Sequence, residues 1–451
     1  MRLTLVHPAI GRKPGVNYMR TWQMEPLPIA ALAGLTPPDI AMTFFDDRME
    51  AIDFDAPADL VAIPVETYTA KRAYQIASEF RRRRVPVIMG GFHATLAPDE
   101  VSRYADSVVV GEAEGLWPRA IEDARAGRLQ RFYRANTQPG MASIRYDRRL
   151  FKGKSYLPIR LVETGRGCKF PCEFCAIQSF FDRTARRRPI SGIVAELSDL
   201  KCGTKMFFFV DDNFAANMAE GAELADALAP LGIRWITQMS INAAHDEDML
   251  ARMARAGCAG VLIGFESLDE GVLRSMRKSF NRMKGGYGPA LTNLRRHNIR
   301  VYGTFVFGYG AYRREAFEEA AAFAIEHRFY IAAFNHLTPF PGTPLYSRLQ
   351  KEGRLIYEPW WLDDRYRYND LPFRPEGADP EAIRQGCLAA RAKFYSWPSI
   401  IKRFADPLNR GENVLMRNFL PINYMHRSEL GQRDGYPLGD PMWRGPLLEV
   451  Q

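Results

Sequence analysis

The sequence alternates short apolar runs with helical patterns in two separate stretches, and this alternation constrains the fold more than any other feature. Because consecutive parallel strands need a crossover, usually a helix, each stretch predicts a parallel sheet covered by helices. We predict an α/β protein with an N-terminal doubly wound parallel sheet over 1–126 and a partial (β/α)6 barrel over 158–345. The predicted strands are 3–7, 41–45, 59–65, 85–91 and 107–111 in the first stretch and 159–164, 205–210, 233–239, 259–265, 299–307 and 331–337 in the second.

Two segments lack this rhythm. Residues 127–157 are polar, aromatic and basic, and we interpret them as a connector. Residues 346–451 are rich in Trp, Tyr, Pro and Arg, with one clear helix near 379–396, and predict an α-rich C-terminal region that covers the barrel mouth. Its aromatic and basic side chains either line a pocket for a flat or anionic substrate or pack over the open side of the barrel. These side chains are Trp360, Trp361, Arg365, Tyr366, Arg367 and Tyr368.

The charge is basic, with 61 Lys and Arg against 52 Asp and Glu and a net charge of +9. Such a balance suits a nucleic acid, an anionic membrane surface or an anionic substrate. Since the excess is spread along the chain, with small clusters at 81–84 and 186–188, we expect no DNA partner and disfavour RNA. The chain lacks an apolar run of about 18 residues, so we expect no transmembrane segment. The N-terminus lacks a secretory signal pattern, which predicts a cytoplasmic protein.

Three of the six cysteines, Cys168, Cys172 and Cys175, fall within eight residues directly after the first predicted barrel strand. Barrel active sites lie at the carboxyl ends of the strands. Three thiolates can each ligate one iron of a cubane cluster and leave the fourth iron open, as catalytic metal sites do. Zinc would need a fourth ligand, and no Cys or His follows within twenty residues. The remaining alternative is three unrelated buried cysteines.

The spacing Cys-x3-Cys-x2-Cys, the preceding Thr-Gly-Arg-Gly at 164–167 and Phe174 resemble the radical S-adenosylmethionine superfamily. The resemblance implies a [4Fe-4S] cluster held by the three cysteines and S-adenosylmethionine bound to the free iron. It also implies reductive cleavage to a 5′-deoxyadenosyl radical, with electrons from a flavodoxin- or ferredoxin-type reductant. Phe174 would pack near the adenine.

Polar residues also follow the later barrel strands. We expect these side chains to form the rim that binds S-adenosylmethionine, although each alone could be a helix cap or turn residue. His336, at the end of the sixth strand, is the candidate for substrate contact or catalysis. The expected rim residues are Asp211, Gln238, Ser240, Glu266 and Ser267.

The segments GGFHATLAPDE (90–100) and VVVGEAEGLWPRAI (108–121) resemble a subgroup with an N-terminal cobalamin-binding, flavodoxin-like domain. The corrin would lie across the carboxyl edge of the sheet, where glycines allow close approach of the backbone. The Asp-x-His-x-x-Gly cobalt-ligand motif is missing, so His93 is expected as a polar contact or a turn residue. A domain that has lost the cofactor remains an alternative. The expected cobalamin contacts are Gly90, Gly91, His93, Gly111 and Glu112.

Together the resemblances imply a cobalamin-dependent radical methyltransferase that methylates an unactivated carbon of a small-molecule or lipid substrate, such as a hopanoid, tetrapyrrole, peptide or antibiotic intermediate. A first alternative is a radical cyclase or another ring-forming or rearranging enzyme without methyl transfer. Transfer RNA methylthiolation would require three further cysteines before Cys168, which this chain lacks. A non-catalytic iron–sulfur or nucleic-acid-binding protein is supported only by the arginine clusters.

Overall fold

The structure is a computed structural model that describes residues 1–135, 137–204, 206–411 and 414–450. In this part of the chain the strands are β1 Arg2–His7, β2 Ala41–Asp46, β3 Leu60–Pro64, β4 Val87–Gly90, β5 Ser107–Val110, β6 Phe132–Arg134, β7 Arg160–Val162, β8 Gly165–Gly167, β9 Ala185–Arg187, β10 Phe207–Phe209, β11 Trp235–Gln238, β12 Cys258–Glu266, β13 Arg300–Phe307, β14 Ile331–His336, β15 Arg367–Tyr368 and β16 Tyr436–Pro437.

The α-helices of the same residues are α1 Leu27–Leu35, α2 Ala70–Arg82, α3 Phe92–Leu96, α4 Pro98–Tyr104, α5 Trp117–Arg125, α6 Ala176–Phe181, α7 Ile190–Leu200, α8 Met218–Leu228, α9 Glu247–Arg255, α10 Glu270–Ser275, α11 Tyr287–Arg296, α12 Glu315–Glu326, α13 Pro344–Lys351, α14 Pro380–Phe394, α15 Trp397–Phe404, α16 Val414–Ser428 and α17 Leu430–Arg433. None of these helices is both long and apolar enough to cross a membrane.

The N-terminal sheet has the strand order β2-β1-β3-β4-β5-β6, with every neighbouring pair parallel. The order 2-1-3-4-5 is that of flavodoxin-like folds, which confirms the predicted doubly wound sheet. Two buried apolar clusters, one on each face of the sheet, contain the alternate side chains of its strands. The carboxyl edge of the sheet, where ligands bind in such folds, therefore lies free of the covering helices.

The sequence interpretation missed β6 and α3. The strand β6 lies inside the segment 127–157 that we interpreted as a connector, so the sheet continues beyond 126. Its three residues are too short to produce a period-2 pattern. Helix α3 follows Gly91 at once and has five residues, which is also too short for a periodic signal.

The second sheet has the order β14-β13-β12-β11-β10-β7, again with every pair parallel. Sequential parallel strands with helices between them form the open, partial barrel that the sequence predicted. The largest apolar cluster lies between these strands and their helices. Every strand therefore directs its carboxyl end toward the same side, where the loop of the three cysteines follows β7.

Most of the aromatic segment after α13 packs into the N-terminal domain, an arrangement that differs from both expectations for it. Trp360, Trp361 and Tyr366 are buried in the apolar cluster that α2 and β3 also build. The indole Nε1 of Trp360 donates to the carbonyl of Pro339, 2.8 Å away, in the loop after β14. The C-terminal region is helical, as predicted, and its aromatic segment ties the barrel to the first sheet.

Candidate functional site

The loop that carries the three cysteines is closed by a short hairpin. Strand β8 before the loop pairs with β9 after it in an antiparallel arrangement. Gly167 ends β8 with φ +85°, and a Cβ atom there would lie 2.0 Å from the carbonyl oxygen of Thr184. Only glycine fits this position. The hairpin therefore fixes both ends of the loop at the mouth of the barrel.

The donors in this loop fit an iron–sulfur cluster. Cys168, Cys172 and Cys175 are free thiols, and the backbone N–H groups of Ile177 and Gln178 in α6 donate to the sulfur of Cys175. Burial raises the pKa of Cys172 to about 12, an effect that iron ligation would offset by stabilising the thiolate. Among the described residues no three Cys, His, Asp or Glu surround one point closely enough for a single metal ion. Three thiols in one loop match a cubane with three corners ligated.

Asn213 connects the cysteine loop to the next strands. Its Nδ2 atom lies 3.7 Å from the sulfur of Cys168 and 3.1 Å from Oγ of Ser240. Its Oδ1 atom accepts the backbone N–H of Ser240 at 3.2 Å. Ser240, an expected rim residue, is thereby placed beside the cysteine loop, and Gln238 contacts the carbonyl of Asp212 at 3.0 Å. Asn213 itself was not among the predicted site residues.

Asp211 and Asp212 hold the start of the cysteine loop. Asp211 is buried and accepts the backbone N–H groups of Thr164 at 2.7 Å and Gly165 at 3.0 Å. Asp212 accepts the N–H of Gly167 at 2.7 Å. Burial raises the pKa of both carboxyl groups, that of Asp212 to about 7. Asp211 therefore acts on the cysteine loop in this structure rather than projecting into the barrel mouth.

Glu266 and Lys278 form a buried ion pair next to the cysteines. Glu266 ends β12 with φ +62°, and its Oε1 contacts the ammonium of Lys278, which also donates to the carbonyl of Gly264 at 3.1 Å. The charge of Lys278 favours the thiolate form of Cys172. A buried lysine in a loop has no periodic signal, which is why the sequence interpretation missed it.

Ser267, the last expected rim residue, and Phe174, the expected adenine contact, complete the predicted S-adenosylmethionine site. Oγ of Ser267 accepts the backbone N–H of Asp269 at 3.0 Å, so it shapes the turn before α10. Phe174 packs against the barrel core. The structure therefore brings Gln238, Ser240, Glu266 and Ser267 to the carboxyl ends of two neighbouring strands, β11 and β12, beside the cysteine loop.

His336 faces the helices rather than the barrel lumen. It lies on the same side of β14 as Phe334, is buried, and its Nδ1 is 3.0 Å from the carbonyl oxygen of Leu337. Burial lowers its pKa to about 4. The expectation that His336 contacts substrate is therefore corrected, because side chains alternate along a strand and the preceding residue, Asn335, is the exposed one.

The open side of the barrel carries two arginines and two tyrosines, of which the sequence interpretation singled out only Tyr368. Nη2 of Arg391 donates to Oδ1 of Asn335 at 2.9 Å. Burial raises the pKa of Tyr302 on β13, while the charges of Arg433 and Arg391 lower it in part. Arg433 is itself ion-paired with Glu429 at 2.8 Å. Tyr368 on β15 is also near Tyr302. This group, which we term the lumen cluster, is aromatic and cationic.

A cavity of about 260 Å³ opens at the carboxyl edge of the N-terminal sheet, against the cysteine loop. Gly111, with φ +92°, has open space where a Cβ atom would be. From the barrel side the cavity is closed by Phe180 and Phe181 of α6, the helix that begins directly after Cys175. Four expected cobalamin contacts line it: Gly90, Gly91, Gly111 and Glu112.

His93, the fifth expected contact, points away from this cavity. It is fully buried, with Nδ1 3.3 Å from Oγ1 of Thr67 and Nε2 3.2 Å from Oε1 of Glu100. Glu100 also accepts hydrogen bonds from Tyr74 at 2.8 Å and from Trp361 at 2.9 Å. Since both nitrogens of His93 have partners in the core, the structure corrects its expected role as a polar contact to the corrin.

Glu100 should make the N-terminal domain less stable as the pH falls into the acid range. Burial raises its pKa, but the hydrogen bonds from His93, Trp361 and Tyr74 outweigh burial, and the net pKa lies below the ordinary 4.5. A carboxyl with a lowered pKa stabilises the fold above its unfolded pKa and loses this contribution as pH falls through the folded pKa. We expect Glu100→Gln to cost roughly 1–3 kcal/mol at pH 7. In urea denaturation the deficit should shrink below pH 4.5. The exposed control Glu122→Gln should show no such deficit.

Arg166, within the motif before the first cysteine, connects the cavity to the cysteine loop. Its guanidinium contacts Glu112 at 2.7 Å, Glu114 at 2.6 Å and Glu163 at 2.7 Å. Arg186 on β9 adds a second bond to Glu112 at 2.5 Å. Burial lowers the pKa of Arg166, but the carboxylates outweigh burial and hold it above its ordinary value. Ion pairs therefore join the loop after β5 to the cysteine hairpin. We term this set the Arg166 network; its members are Arg166, Arg186, Glu112, Glu114 and Glu163.

Comparisons with known proteins agree with this geometry. A sequence profile described as "Radical SAM superfamily" matches residues 162–324. Bacteriochlorophyllide d C-12(1)-methyltransferase of Chlorobaculum tepidum is 30% identical over 396 residues, which are 85% of this chain and 86% of that protein. The chain belongs to this family of radical S-adenosylmethionine methyltransferases. The predicted enzyme class, the [4Fe-4S] cluster and S-adenosylmethionine as cofactor are thereby confirmed.

Two further relatives bear on the fold and on the alternative function of this methyltransferase. The solved structure of TsrM from Kitasatospora setae matches with a TM-score of 0.62 at 15% identity, covering 96% of this chain and 98% of that one. At that identity the match shows a shared fold. The anaerobic magnesium-protoporphyrin IX monomethyl ester cyclase of Cereibacter sphaeroides is 23% identical over 370 residues, 74% of this chain and 59% of that protein.

Proposed function

We propose that this enzyme transfers a methyl group to an unactivated carbon of a flat, carboxylate-bearing small molecule, with cobalamin in the cavity at the edge of the N-terminal sheet. The observation that carries the proposal is the position of that cavity, whose wall is α6, the helix that starts at the cysteine loop. A fold shared with a protein solved with cobalamin and a [4Fe-4S] cluster supports it. We assign 1–126 with β6 to the cobalamin domain, the rest of 127–157 to the connector, 158–345 to the barrel and 346–451 to a C-terminal region, of which α15 and α16 lie at the amino ends of the barrel strands rather than over the mouth.

When bound, the cofactors supply a 5′-deoxyadenosyl radical for hydrogen abstraction and a methyl group on cobalamin. The residues of the chain then bind, orient and exclude water. Cys168, Cys172 and Cys175 would hold the cluster, and Asn213 would direct an N–H donor to Cys168. The Glu266–Lys278 pair supplies one buried charge of each sign beside it. Such a pair suits the amino and carboxylate groups of S-adenosylmethionine, and so we place these groups there, next to Gln238, Ser240 and Ser267.

The substrate would occupy the open side of the barrel. The lumen cluster supplies aromatic rings from Tyr302 and Tyr368 and a cation from Arg391, whereas the charge of Arg433 is balanced by Glu429. Planar guanidinium groups bind carboxylates in a bidentate manner, and tyrosine rings stack on flat molecules. A tetrapyrrole with carboxylate side chains, the substrate class of the bacteriochlorophyllide relative, combines both properties. We propose a flavodoxin- or ferredoxin-type reductant for the cluster.

The cyclase relative supports the second candidate function, in which ring formation replaces methyl transfer. The mass of the product separates the two. A product that gains one methyl group when the enzyme, cobalamin and S-adenosylmethionine are combined supports the proposal. A product that has lost hydrogen without gaining carbon supports the cyclase.

Filling the cavity should weaken cobalamin binding without loss of the cluster. Ala31 on α1 lines the cavity, so Ala31→Trp would place a large ring inside it. Because steric overlap costs roughly 1–3 kcal/mol, we expect affinity for cobalamin to fall on the order of tenfold or more. Cobalt and iron counts after anaerobic reconstitution measure both effects. The exposed variant Ala51→Trp is the control, and full cobalt in Ala31→Trp would refute this location.

A further inference from the structure

Helices α15 and α16 pack against the base of the barrel, where its strands begin, with one face buried and the other exposed to solvent. Their inner side chains Ile400 and Phe419 are buried against residues at the amino ends of barrel strands. The buried guanidinium of Arg403 donates to the carbonyls of Phe329 at 3.1 Å and Phe394 at 3.0 Å and to Oδ1 of Asn423 at 3.0 Å. The pair is therefore held rigidly by its inner face, opposite the carboxyl ends that carry the cysteine loop.

The outer face of the same pair is apolar and exposed. Among the residues whose side chains the structure describes, five large apolar side chains are exposed, and four of them lie on these two helices. The ring centroids of Trp397 and Tyr424 are 6.3 Å apart, so the side chains of the two helices form one continuous patch. We term this patch the basal patch; its members are Trp397 (47% exposed), Ile401 (63%), Leu420 (42%) and Tyr424 (57%).

The basal patch is surrounded by cations. Neither helix contains Asp or Glu, whereas Lys402, Arg417 and Arg427 belong to them, and the guanidinium of Arg427 lies 5.8 Å from the ring centroid of Trp397. The neighbouring acids Asp406 and Glu429 are buried and ion-paired, and Glu412 lies outside the described residues.

A cavity of about 720 Å³ adjoins the basal patch. Arg417 of α16 lines it, together with Lys152 and Lys154 from the segment before β7. Lys154 is ion-paired with Glu50, and the one lining carboxylate, Glu25, is balanced by Arg148 and Arg160. The positive rim of the patch therefore continues beyond the two helices. A cavity edged by these cations, at the border of an apolar patch, suits an anionic headgroup.

We propose that the basal patch binds the surface of an anionic lipid bilayer. Exposed Trp, Tyr, Leu and Ile on a rigid helical surface with Lys and Arg at its edge are typical of helices that lie in the headgroup region. A second copy of the chain is a poorer occupant, because its own cations would face those of the first copy without carboxylates between them. The inference goes beyond the proposed methyl transfer and does not depend on it.

Sedimentation of the full chain with phosphatidylglycerol vesicles tests the proposal, with phosphatidylcholine vesicles as the neutral comparison. We expect binding to the anionic vesicles that weakens as salt increases. Trp397→Ser with Ile401→Ser should reduce binding by about tenfold or more, since affinity scales with buried apolar area. Each of Lys402→Gln and Arg417→Gln should reduce it about fivefold, the equivalent of about 1 kcal/mol per cation at such a surface.

Matched controls alter exposed residues elsewhere. Met442→Ser removes an apolar side chain that is 62% exposed, and Arg255→Gln removes a cation on α9. Neither should change vesicle binding. Absence of binding, or binding that the basal-patch variants leave unchanged, would overturn the proposal. The proposal would also be overturned if the protein formed concentration-dependent dimers without vesicles and Trp397→Ser abolished them. The patch would then bind a second copy of the chain.

Discussion

Cys172→Ala is expected to remove the iron–sulfur cluster and with it reductive cleavage of S-adenosylmethionine. Cys172 is the most buried thiol of the three and lies beside the charge of Lys278. Changes to outer partners of metal ligands already cost roughly 10–100-fold in metal affinity or activity, so loss of a ligand should exceed about 100-fold. Iron content and formation of 5′-deoxyadenosine after anaerobic reconstitution measure the two effects.

Cys202 provides the matched control for this experiment. It is an exposed free cysteine after α7, outside the loop of the triad. Cys202→Ala should retain the iron content and the cleavage activity of the unmodified enzyme. Retained cleavage in Cys172→Ala, or equal losses in both variants, would remove the triad from the catalytic site.

Arg166→Ala is expected to lower the free energy of unfolding more than the other substitutions of buried residues proposed above. It leaves three largely buried carboxylates without the cation that they share. The contacts of Arg166 with Glu112, Glu114 and Glu163 are all 2.6–2.7 Å long, and these side chains are largely buried. Breaking a buried ion pair by removing one partner costs roughly 3–5 kcal/mol. Urea denaturation of the cofactor-free protein measures this loss directly.

The same substitution should loosen the contact between the cobalamin cavity and the cysteine loop. Arg166→Ala should therefore weaken cobalamin binding as well as stability, whereas Arg125→Ala, which breaks the exposed pair with Asp39, should change stability by no more than about 1 kcal/mol. Adding Glu112→Gln and Glu114→Gln to Arg166→Ala should restore part of the stability. A loss below about 1 kcal/mol in Arg166→Ala would contradict the buried network.

The sequence predicted the parts of this enzyme that repeat or cluster. Both parallel sheets follow from apolar runs of the right length, and Cys168, Cys172 and Cys175 follow from their spacing. The glycines predicted at the sheet edge line the cavity there, because ligand sites in such sheets lie beyond the carboxyl ends of the strands; their contact with cobalamin stays a prediction. These features are local, so a single sequence contains them.

Other parts depend on tertiary contacts that a single sequence does not contain. His93 was expected as a polar contact or a turn residue, but its environment comes from Glu100 and from Trp361, which is 268 positions further along the chain. His336 was expected to face the substrate, but adjacent side chains on β14 point to opposite faces, and it is the preceding residue, Asn335, that is exposed. Lys278 and Arg391 reach the site from a loop and from a tail helix, where no pattern marks them.

Electron paramagnetic resonance of the reduced, anaerobically reconstituted enzyme tests the central claim most directly. The claim is that the three thiols leave one iron corner vacant. The account predicts a [4Fe-4S] signal that changes when S-adenosylmethionine is added, in the unmodified enzyme and in Cys202→Ala. A protein without iron, or a cluster signal that S-adenosylmethionine leaves unchanged, would contradict it.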